Sequence, residues 1–241
     1  MNKVFCKKGV IFSLLFTGYL ILFNSSCGLD TFYVLDAPTQ VIHQPDCSSI
    51  EYSDNYFSFY TTDKDYDTIK FLGTDVYYKI YKSSARLKTE AEDLITASNR
   101  DDSTNSAADK LIQSYRFQPL RGAGYDDQVV LIPTTGSNQQ ITIRLSDYHG
   151  IYLSQIAVDG SNIYGNPSRV IPVRNLPDKT NFNFSSKYLP KSDEADVNTS
   201  GTSSDADWYV SMFAVAVGQD QTYTSVYSNI LYLGSVKIPL E

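Results

Sequence analysis

The chain contains few residues whose types and spacing suit catalysis or metal binding. Its two histidines, His43 and His149, are far apart, and neither belongs to an HExxH, CxxC or clustered-histidine pattern of the kind that zinc sites use. The sequence also has no GxSxG nucleophile motif and no glycine-rich phosphate loop. We therefore expect a protein that is not an enzyme, with no catalytic residue, no metal site and no cofactor.

Two acidic stretches contain oxygen ligands of the kind that calcium uses. Residues 63–67 begin like a calcium-binding loop, but the glycine and glutamate required at its sixth and twelfth positions are replaced by Thr68 and Thr74. A second acidic group comprises Asp193, Glu194, Asp196, Asp205 and Asp207. Acidic loops are far more often solvated than metal-bound, so we expect these carboxylates to face water.

The N-terminus has the pattern of a bacterial export signal. Three lysines and no acid accompany an apolar run of 14 residues from Val10 to Phe23. The run is shorter than the roughly 20 residues that a membrane-spanning helix needs. The small residues Ser25 and Ser26 lead directly to Cys27. A basic start, a short apolar core and small residues at the cleavage point predict that residues 1–26 are a signal peptide.

Residues Phe23–Cys27, with the sequence FNSSC, resemble the relaxed lipobox of spirochaetal (treponeme-type) lipoproteins. Asn24 departs from the stricter motif, which has leucine there. The resemblance implies a diacylglyceryl group on the Cys27 sulfur, cleavage before Cys27, and acylation of the new amine with a fatty acid such as palmitate. Two or more acyl chains would give stable membrane anchoring. Residues 27–37 then form a lipidated tether to the outer membrane, at the cell surface or facing the periplasm.

Charge and cysteine content agree with an envelope domain. The net charge is −7, and it becomes −10 when the three lysines of the signal segment are removed. An acidic exterior argues against nucleic acid as a partner. Cys6 would leave with the signal peptide and Cys27 would carry lipid, so Cys47 has no disulfide partner within the chain. We expect Cys47 to be a small buried or half-buried thiol.

Alternating side chains predict several β-strands. The clearest is Asp75–Lys82, in which the even-numbered Val76, Tyr78 and Ile80 share one face and the odd-numbered tyrosines share the other. Further strands are expected at 39–42, 56–60, 129–132, 140–145, 151–158, 208–217 and 230–238, with 133–138 as a hairpin loop.

Two segments depart from this pattern. Apolar residues at helical spacing predict two short helices within 87–115, the first begun by a capping box of Thr89 and Glu92. The segment 189–207 is rich in Ser, Asp, Asn and Thr and predicts a long mobile loop.

Many short strands with turns between them predict a mainly β fold, an all-β sandwich. The strand order resembles an immunoglobulin or fibronectin type III domain, with Val76–Tyr81 similar to strand C and Tyr209–Val217 similar to the first strand of the F–G hairpin. We expect one domain over residues 38–241, with a helical insertion at 87–115 and a mixed strand and loop insertion at 148–207. A two-domain arrangement is the alternative.

These features favour a lipid-anchored, non-catalytic binding or adhesion module with a protein or glycan ligand. The two insertions are its expected contact surface, since function is commonly added to a rigid sandwich in this way. The 19 tyrosines suit recognition, although ordinary strand packing explains them more simply. Alternatives are a periplasm-facing structural lipoprotein and, less favoured, a hydrolase acting on envelope polymers.

Overall fold

A computed structural model describes residues 35–49, 51–64, 66–100, 105–177, 182–201 and 206–238. The expected signal peptide at 1–26, Cys27 and the tether as far as residue 34 lie outside the described residues. None of the helices within the described ranges has the length and apolar character needed to cross a membrane.

The fold is mainly β, as the sequence predicts. The strands are β1 Thr39–His43, β2 Phe57–Tyr60, β3 Lys70–Tyr81, β4 Gln118–Pro119, β5 Arg121–Gly122, β6 Ile132–Pro133, β7 Gln140–Arg144, β8 Gln155–Val158, β9 Ser161–Asn162, β10 Pro172–Val173, β11 Val197–Asn198, β12 Trp208–Gln219 and β13 Ser225–Ile238. The helices are α1 Ser84–Ser98 and α2 Ser106–Asp109, and α2 continues as a π-helical turn over Lys110–Ser114. Short 3₁₀ turns occupy Tyr52–Asp54, Ile163–Gly165 and Ser186–Tyr188.

Two sheets are built from these strands. The first has the antiparallel order β1-β2-β7-β8-β9. The second has the order β11-β3-β12-β13, with β4 and β6 also paired to β3. Its long strands are antiparallel to one another, whereas β11 runs parallel to β3. A separate pair joins β10 to β5.

The main hydrophobic core lies between the two sheets. Phe57, Phe59 and Ile143 from the first sheet pack in one buried cluster with Val76 and Met212 from the second. All five side chains are at most 2% exposed. Face-to-face packing of two antiparallel sheets across a shared core is the arrangement of a β-sandwich.

Strand β3 is buried on both faces. Val76, Tyr78 and Ile80 belong to the core between the sheets, as the alternation predicts. Tyr77 and Tyr81 belong to a second core, which the two helices cover. The helical insertion therefore lays its apolar residues on the outer face of the second sheet. These two tyrosines therefore serve ordinary strand packing inside the protein rather than a recognition surface.

A charged network lies under α1. Glu90 is 2% exposed and accepts hydrogen bonds from Tyr81 (2.7 Å), Arg86 (2.8 Å) and Asn198 (2.9 Å). The Lys79 ammonium lies 3.5 Å from the same carboxylate. Burial lowers the pKa of Lys79, and the nearby Glu90 opposes that effect. Buried charges of this kind are tolerated because they are paired and hydrogen-bonded.

A second buried network fastens the 148–207 insertion to β3. The Arg174 guanidinium donates to Asp196 at 2.7 and 2.8 Å and to Glu194 at 2.6 Å. The Tyr78 hydroxyl donates to Asp196 at 2.8 Å, and Asp196 is fully buried. The expectation that these two carboxylates face water is therefore wrong. They neutralise a buried cation, and the segment expected to be a mobile loop adds β11 to the sheet.

Two local predictions are also wrong. Residues 129–132 and 140–145 do not form a hairpin, since Ile132–Pro133 pairs with β3 while β7 pairs with β2 and β8. The connection instead crosses from one sheet to the other. The first helix begins earlier than expected, where the Ser83 side chain accepts a hydrogen bond from the Arg86 amide. A serine at this position satisfies an otherwise free amide of the first turn.

Candidate functional site

Aromatic and apolar side chains gather at one end of the first sheet. We call this surface the aromatic tip, and it comprises His43, Tyr52, Tyr56, Arg144, Tyr148, His149, Ile151, Tyr152 and Leu153. Ile151 is 75% exposed, Leu153 44%, Tyr52 40% and Tyr152 36%. Neighbouring large apolar groups left in water mark interaction sites more often than scattered ones do.

Arg144, the last residue of β7, joins the parts of the tip. Its guanidinium lies 5.4 Å from the centre of the Tyr56 ring and 5.0 Å from that of Tyr152. It also donates to the carbonyl oxygens of Tyr52 (3.1 Å) and Ser53 (3.2 Å). Burial lowers the pKa of Arg144, but arginine still keeps its charge at neutral pH. The cation therefore holds the aromatic rings in place before any partner arrives.

The two histidines of the chain both belong to this tip, and each packs against a different tyrosine. The His43 ring stacks on Tyr56 with centroids 3.9 Å apart, and its Nδ1 lies 2.8 Å from the Tyr56 carbonyl oxygen. The His149 ring meets Tyr52 edge to face at 4.3 Å. Within the described ranges, no group of three or more His, Cys, Asp or Glu residues could hold a metal ion. The histidines act here as aromatic rings.

A tight turn carries Ile151, the most exposed of the large apolar residues of the tip. His149 and Gly150 both have positive φ, at 52° and 64°, as a type I′ turn requires. The flanking Tyr148 and Tyr152 pair by backbone hydrogen bonds of 2.9 and 3.1 Å. The turn therefore projects Ile151 from a fixed frame.

The base of this turn is tied to both sheets. The buried Tyr148 ring lies 5.5 Å from Tyr52, and its hydroxyl donates to the Lys237 carbonyl oxygen at 3.0 Å. The Asp147 carboxylate accepts hydrogen bonds from the Ser154 amide at 2.6 Å and hydroxyl at 2.8 Å. These contacts make the tip part of the rigid sandwich.

The tip lies far from the point where the described chain begins. Leu35 packs against Gly218, whose added Cβ would lie 3.3 Å from the leucine Cδ1. Tyr148 contacts Lys237, which pairs with Tyr209 near the opposite end of β12. Tyr209 and Gly218 are nine positions apart in β12, and a strand rises by about 3.3 Å per residue, so the two points are about 30 Å apart.

Several of the other acidic residues that the sequence singles out have structural contacts. The Asp63 carboxylate accepts from Thr134 at 2.8 Å and from the Thr135 amide at 2.9 Å, while Lys64 pairs with Asp36 at 2.7 Å. In the second acidic group, Asp207 pairs with Lys237 at 2.6 Å. Asp65 and Asp205 lie outside the described residues.

Cys47 is a buried thiol, 5% exposed, as the sequence predicts. Burial is the main cause that raises its pKa above the ordinary value, and a hydrogen bond from Ser235 opposes it. A thiol that stays protonated is a poor nucleophile. Cys27, the expected lipidation site, lies outside the described residues.

Most of the aromatic tip is not evident from the sequence pattern. The strand expected at 151–158 is wrong in its first part, since β8 begins at Gln155 and residues 151–153 are exposed. The sequence does carry one signal of this exposed surface: three adjacent bulky apolar residues, 151–153, directly follow Gly150. Tyr52, Tyr56 and Arg144 are distant in sequence, and only the pairing of β2 with β7 brings them together.

Comparison of this chain with protein-family models, with curated proteins and with solved structures found no match.

Proposed function

We propose that this protein is a lipid-anchored, non-catalytic binding module of the bacterial cell envelope, and that the aromatic tip holds a protein partner. The single observation that carries the proposal is the cluster of exposed Tyr, Ile and Leu side chains fixed around Arg144 at one end of the sandwich.

The chemistry of the tip favours a protein as the partner. Tyrosine and arginine are, with tryptophan, the residues most enriched among those that dominate binding energy in protein interfaces. Ile151 and Leu153 add aliphatic surface, and burying each fully would contribute about 1.5–3 kcal/mol. Because the tip is held by backbone and ring contacts, little side-chain entropy would be lost on binding.

The tip is remote from the point where the described chain begins. Cys27, the proposed lipid site, is eight positions before Leu35 in the sequence, and Leu35 lies about 30 Å along β12 from the tip. The tip and the Leu35 end are therefore at opposite ends of the described domain.

We also propose that the sandwich is of the immunoglobulin or fibronectin type III kind. The order β3-β12-β13 in the second sheet corresponds to strands C, F and G of such domains, and β1-β2-β7 in the first sheet corresponds to A, B and E. On this proposal β8, β9 and the helices are additions to the basic domain. An experimental structure that places β3 next to β13 rather than β12 would contradict it.

The partner can be tested by site-specific photo-crosslinking in intact cells. A photo-reactive residue at Ile151 should give one specific protein adduct, which mass spectrometry identifies. The same residue at Tyr223 is the matched control, because that side chain is 82% exposed in the β12–β13 turn, at the Leu35 end of the domain. Equal adducts from both positions would contradict the proposal.

Affinity for the identified and purified partner then tests the tip itself. We expect Tyr152→Ala to weaken binding by about 30-fold or more, the loss of an interface residue worth about 2 kcal/mol. Ile151→Ser should weaken it as well without lowering the melting temperature, since Ile151 is largely in water. Tyr223→Ala should bind like the wild type. Unchanged affinity in both tip variants would refute the assignment.

The anchor is tested separately. Cys27→Ala should move the protein from the membrane fraction to the soluble fraction, and a variant that stays in the membrane would contradict lipid anchoring. Protease treatment of intact cells, alongside a known periplasmic protein, then decides the side of the membrane. Digestion before lysis places the tip outside the cell, and protection until lysis directs the search to periplasmic partners.

A further inference from the structure

A second feature of the molecule is an open pocket at the opposite end of β12 from the aromatic tip. It lies between the β12–β13 turn and residues 67–70, which lead into β3, and its volume is about 520 Å³. This is within the usual size range of small-molecule sites. We call it the turn pocket. Its two walls are held together by strand pairing, since Gln219 of β12 lies opposite Lys70 of β3.

The side chains of the turn pocket reach solvent, so a ligand can contact them without any rearrangement of the fold. Tyr223 is 82% exposed, the largest fraction among the large hydrophobic side chains of the described ranges. Ile69 is the buried member of the lining. The remaining lining residues are polar and are exposed or half-buried: Asp67, Thr68, Lys70, Gln219, Asp220 and Gln221. The pocket therefore sets one accessible aromatic ring beside several accessible polar groups.

The β12–β13 turn holds the backbone of Tyr223 in place. The Asp220 carboxylate accepts hydrogen bonds of 2.8 Å from the Thr222 amide, the Thr222 hydroxyl and the Thr224 amide. The Tyr223 amide donates to the Asp220 carbonyl oxygen at 3.1 Å, and the Tyr223 carbonyl oxygen accepts from the Gln219 side chain at 3.2 Å. A ligand has only the side-chain torsions of the tyrosine left to fix, which keeps the entropy cost of binding small.

The polar groups of the turn pocket narrow the ligand class. In the part of the chain that the structure describes, the side chains of Asp67, Lys70 and Gln221 make no hydrogen bond or ion pair. They therefore offer one carboxylate, one ammonium and one amide to a ligand. An anion would meet the carboxylates of Asp67 and Asp220, and a cation would meet the Lys70 ammonium. A neutral molecule with several hydroxyl groups uses both signs, because hydroxyls donate to a carboxylate and accept from an ammonium.

We propose that the turn pocket binds a neutral pyranose sugar of the glucose type. One C–H face of the sugar stacks on the Tyr223 ring, while its hydroxyl groups donate to Asp67 and accept from Lys70 and Gln221. A pyranose whose hydroxyl groups are all equatorial suits a single exposed ring, because both of its faces then consist of C–H groups. The site is independent of the aromatic tip, with which it shares no residue, and it adds a glycan contact to the proposed protein contact.

The test uses methyl β-glucoside as the probe and the full-length protein in micelles of a detergent without a sugar headgroup, followed by saturation-transfer NMR and titration. Because the site is open and has one ring, binding should saturate at millimolar concentrations. Sorbitol, which has the hydroxyl groups but no ring face, should bind about tenfold more weakly or less, and so should the anionic glucuronate. Equal binding of all three, or no saturation transfer to methyl β-glucoside at millimolar concentration, would overturn the proposal.

Variants separate the ring from the polar contacts and from the tip. Tyr223→Ala should lose about tenfold or more in sugar affinity, whereas Tyr223→Phe, which keeps the ring, should bind like the wild type. Asp67→Asn should also weaken binding. All three should keep the wild-type melting temperature, since both side chains are exposed. Tyr152→Ala, the matched control, removes an exposed tyrosine at the aromatic tip and should bind the sugar normally.

Three results would refute the site: wild-type sugar affinity in Tyr223→Ala, an equal loss in Tyr223→Phe, or a loss in Tyr152→Ala, which would place the sugar at the tip. The outcome is separate from that of the proposed function. Failure of the turn pocket would leave the protein partner of the tip untouched, because Tyr223→Ala is the variant expected to hold that partner normally.

Discussion

Raising the pH should unfold this protein cooperatively, because several tyrosines are buried in its cores. Tyr77, Tyr78, Tyr81 and Tyr148 are each at most 5% exposed. Burial is the main cause that raises the pKa of each hydroxyl above its ordinary value of 10. The phenolate form is disfavoured because it would be charged in an apolar interior.

The direction and size of the effect follow from linkage. In the unfolded chain these hydroxyl groups ionise near pH 10, whereas in the folded protein they keep their protons to higher pH. Above pH 10 the folded state therefore binds more protons than the unfolded state, and stability falls as pH rises. Each group costs about 1.4 kcal/mol per pH unit, so four cost about 5–6 kcal/mol per unit. A domain stable by 5–15 kcal/mol should then unfold between about pH 11 and 13.

Absorbance at 295 nm, which reports tyrosinate, and far-ultraviolet circular dichroism measure this directly. Both signals should change together in one steep transition. The same titration in concentrated urea should give a broad curve centred near pH 10. A gradual rise of tyrosinate from pH 10 for most of the tyrosines, with the circular dichroism unchanged to pH 13, would show that these four side chains are not enclosed as described.

Two substitutions test how the insertions and connections are held. Arg174→Met leaves Glu194 and Asp196 buried without their cation and should lower the free energy of unfolding by about 3–5 kcal/mol in urea titrations. Lys64→Met removes an exposed ion pair and should leave the free energy of unfolding close to that of the wild type. Similar losses in both variants would contradict the structural role of the buried network. Gly73→Ala would place a Cβ in the position of the Ile132 carbonyl oxygen, on a backbone with φ 140°, and should lower the free energy of unfolding by more than about 2 kcal/mol in the same assay. A neutral result would show that β6 does not lie against β3.

Local alternation was sufficient to predict the centre of the fold. The segment from Asp75 to Lys82 alternates its faces as expected, and β12 and β13 form the expected hairpin. The sequence could not show that both faces of β3 are buried. The outer face of β3 is buried because the apolar side of α1 packs on it. The sequence of α1 alone indicates only an amphipathic helix and does not show which surface it covers.

Long-range pairing accounts for what was missed. Glu194 and Asp196 look like solvated loop carboxylates because their partner, Arg174, is about 20 residues away and itself unremarkable in sequence. Likewise the aromatic tip depends on Arg144 meeting Tyr56, which lies 88 positions earlier. Neither contact has a local pattern, since each arises only when separate strands are paired.

The distance of about 30 Å between the Leu35 end and the aromatic tip has a consequence for many copies on one membrane. Under the proposed anchoring, neighbouring molecules would carry many copies of the tip on one membrane. A partner with several matching sites, or one that is itself arrayed, would then be held by many weak contacts at high local concentration. Such avidity can exceed single-site affinity by about 10²–10⁴ without any new contact. Individual tips could thus bind weakly and exchange quickly while the cell as a whole adheres firmly.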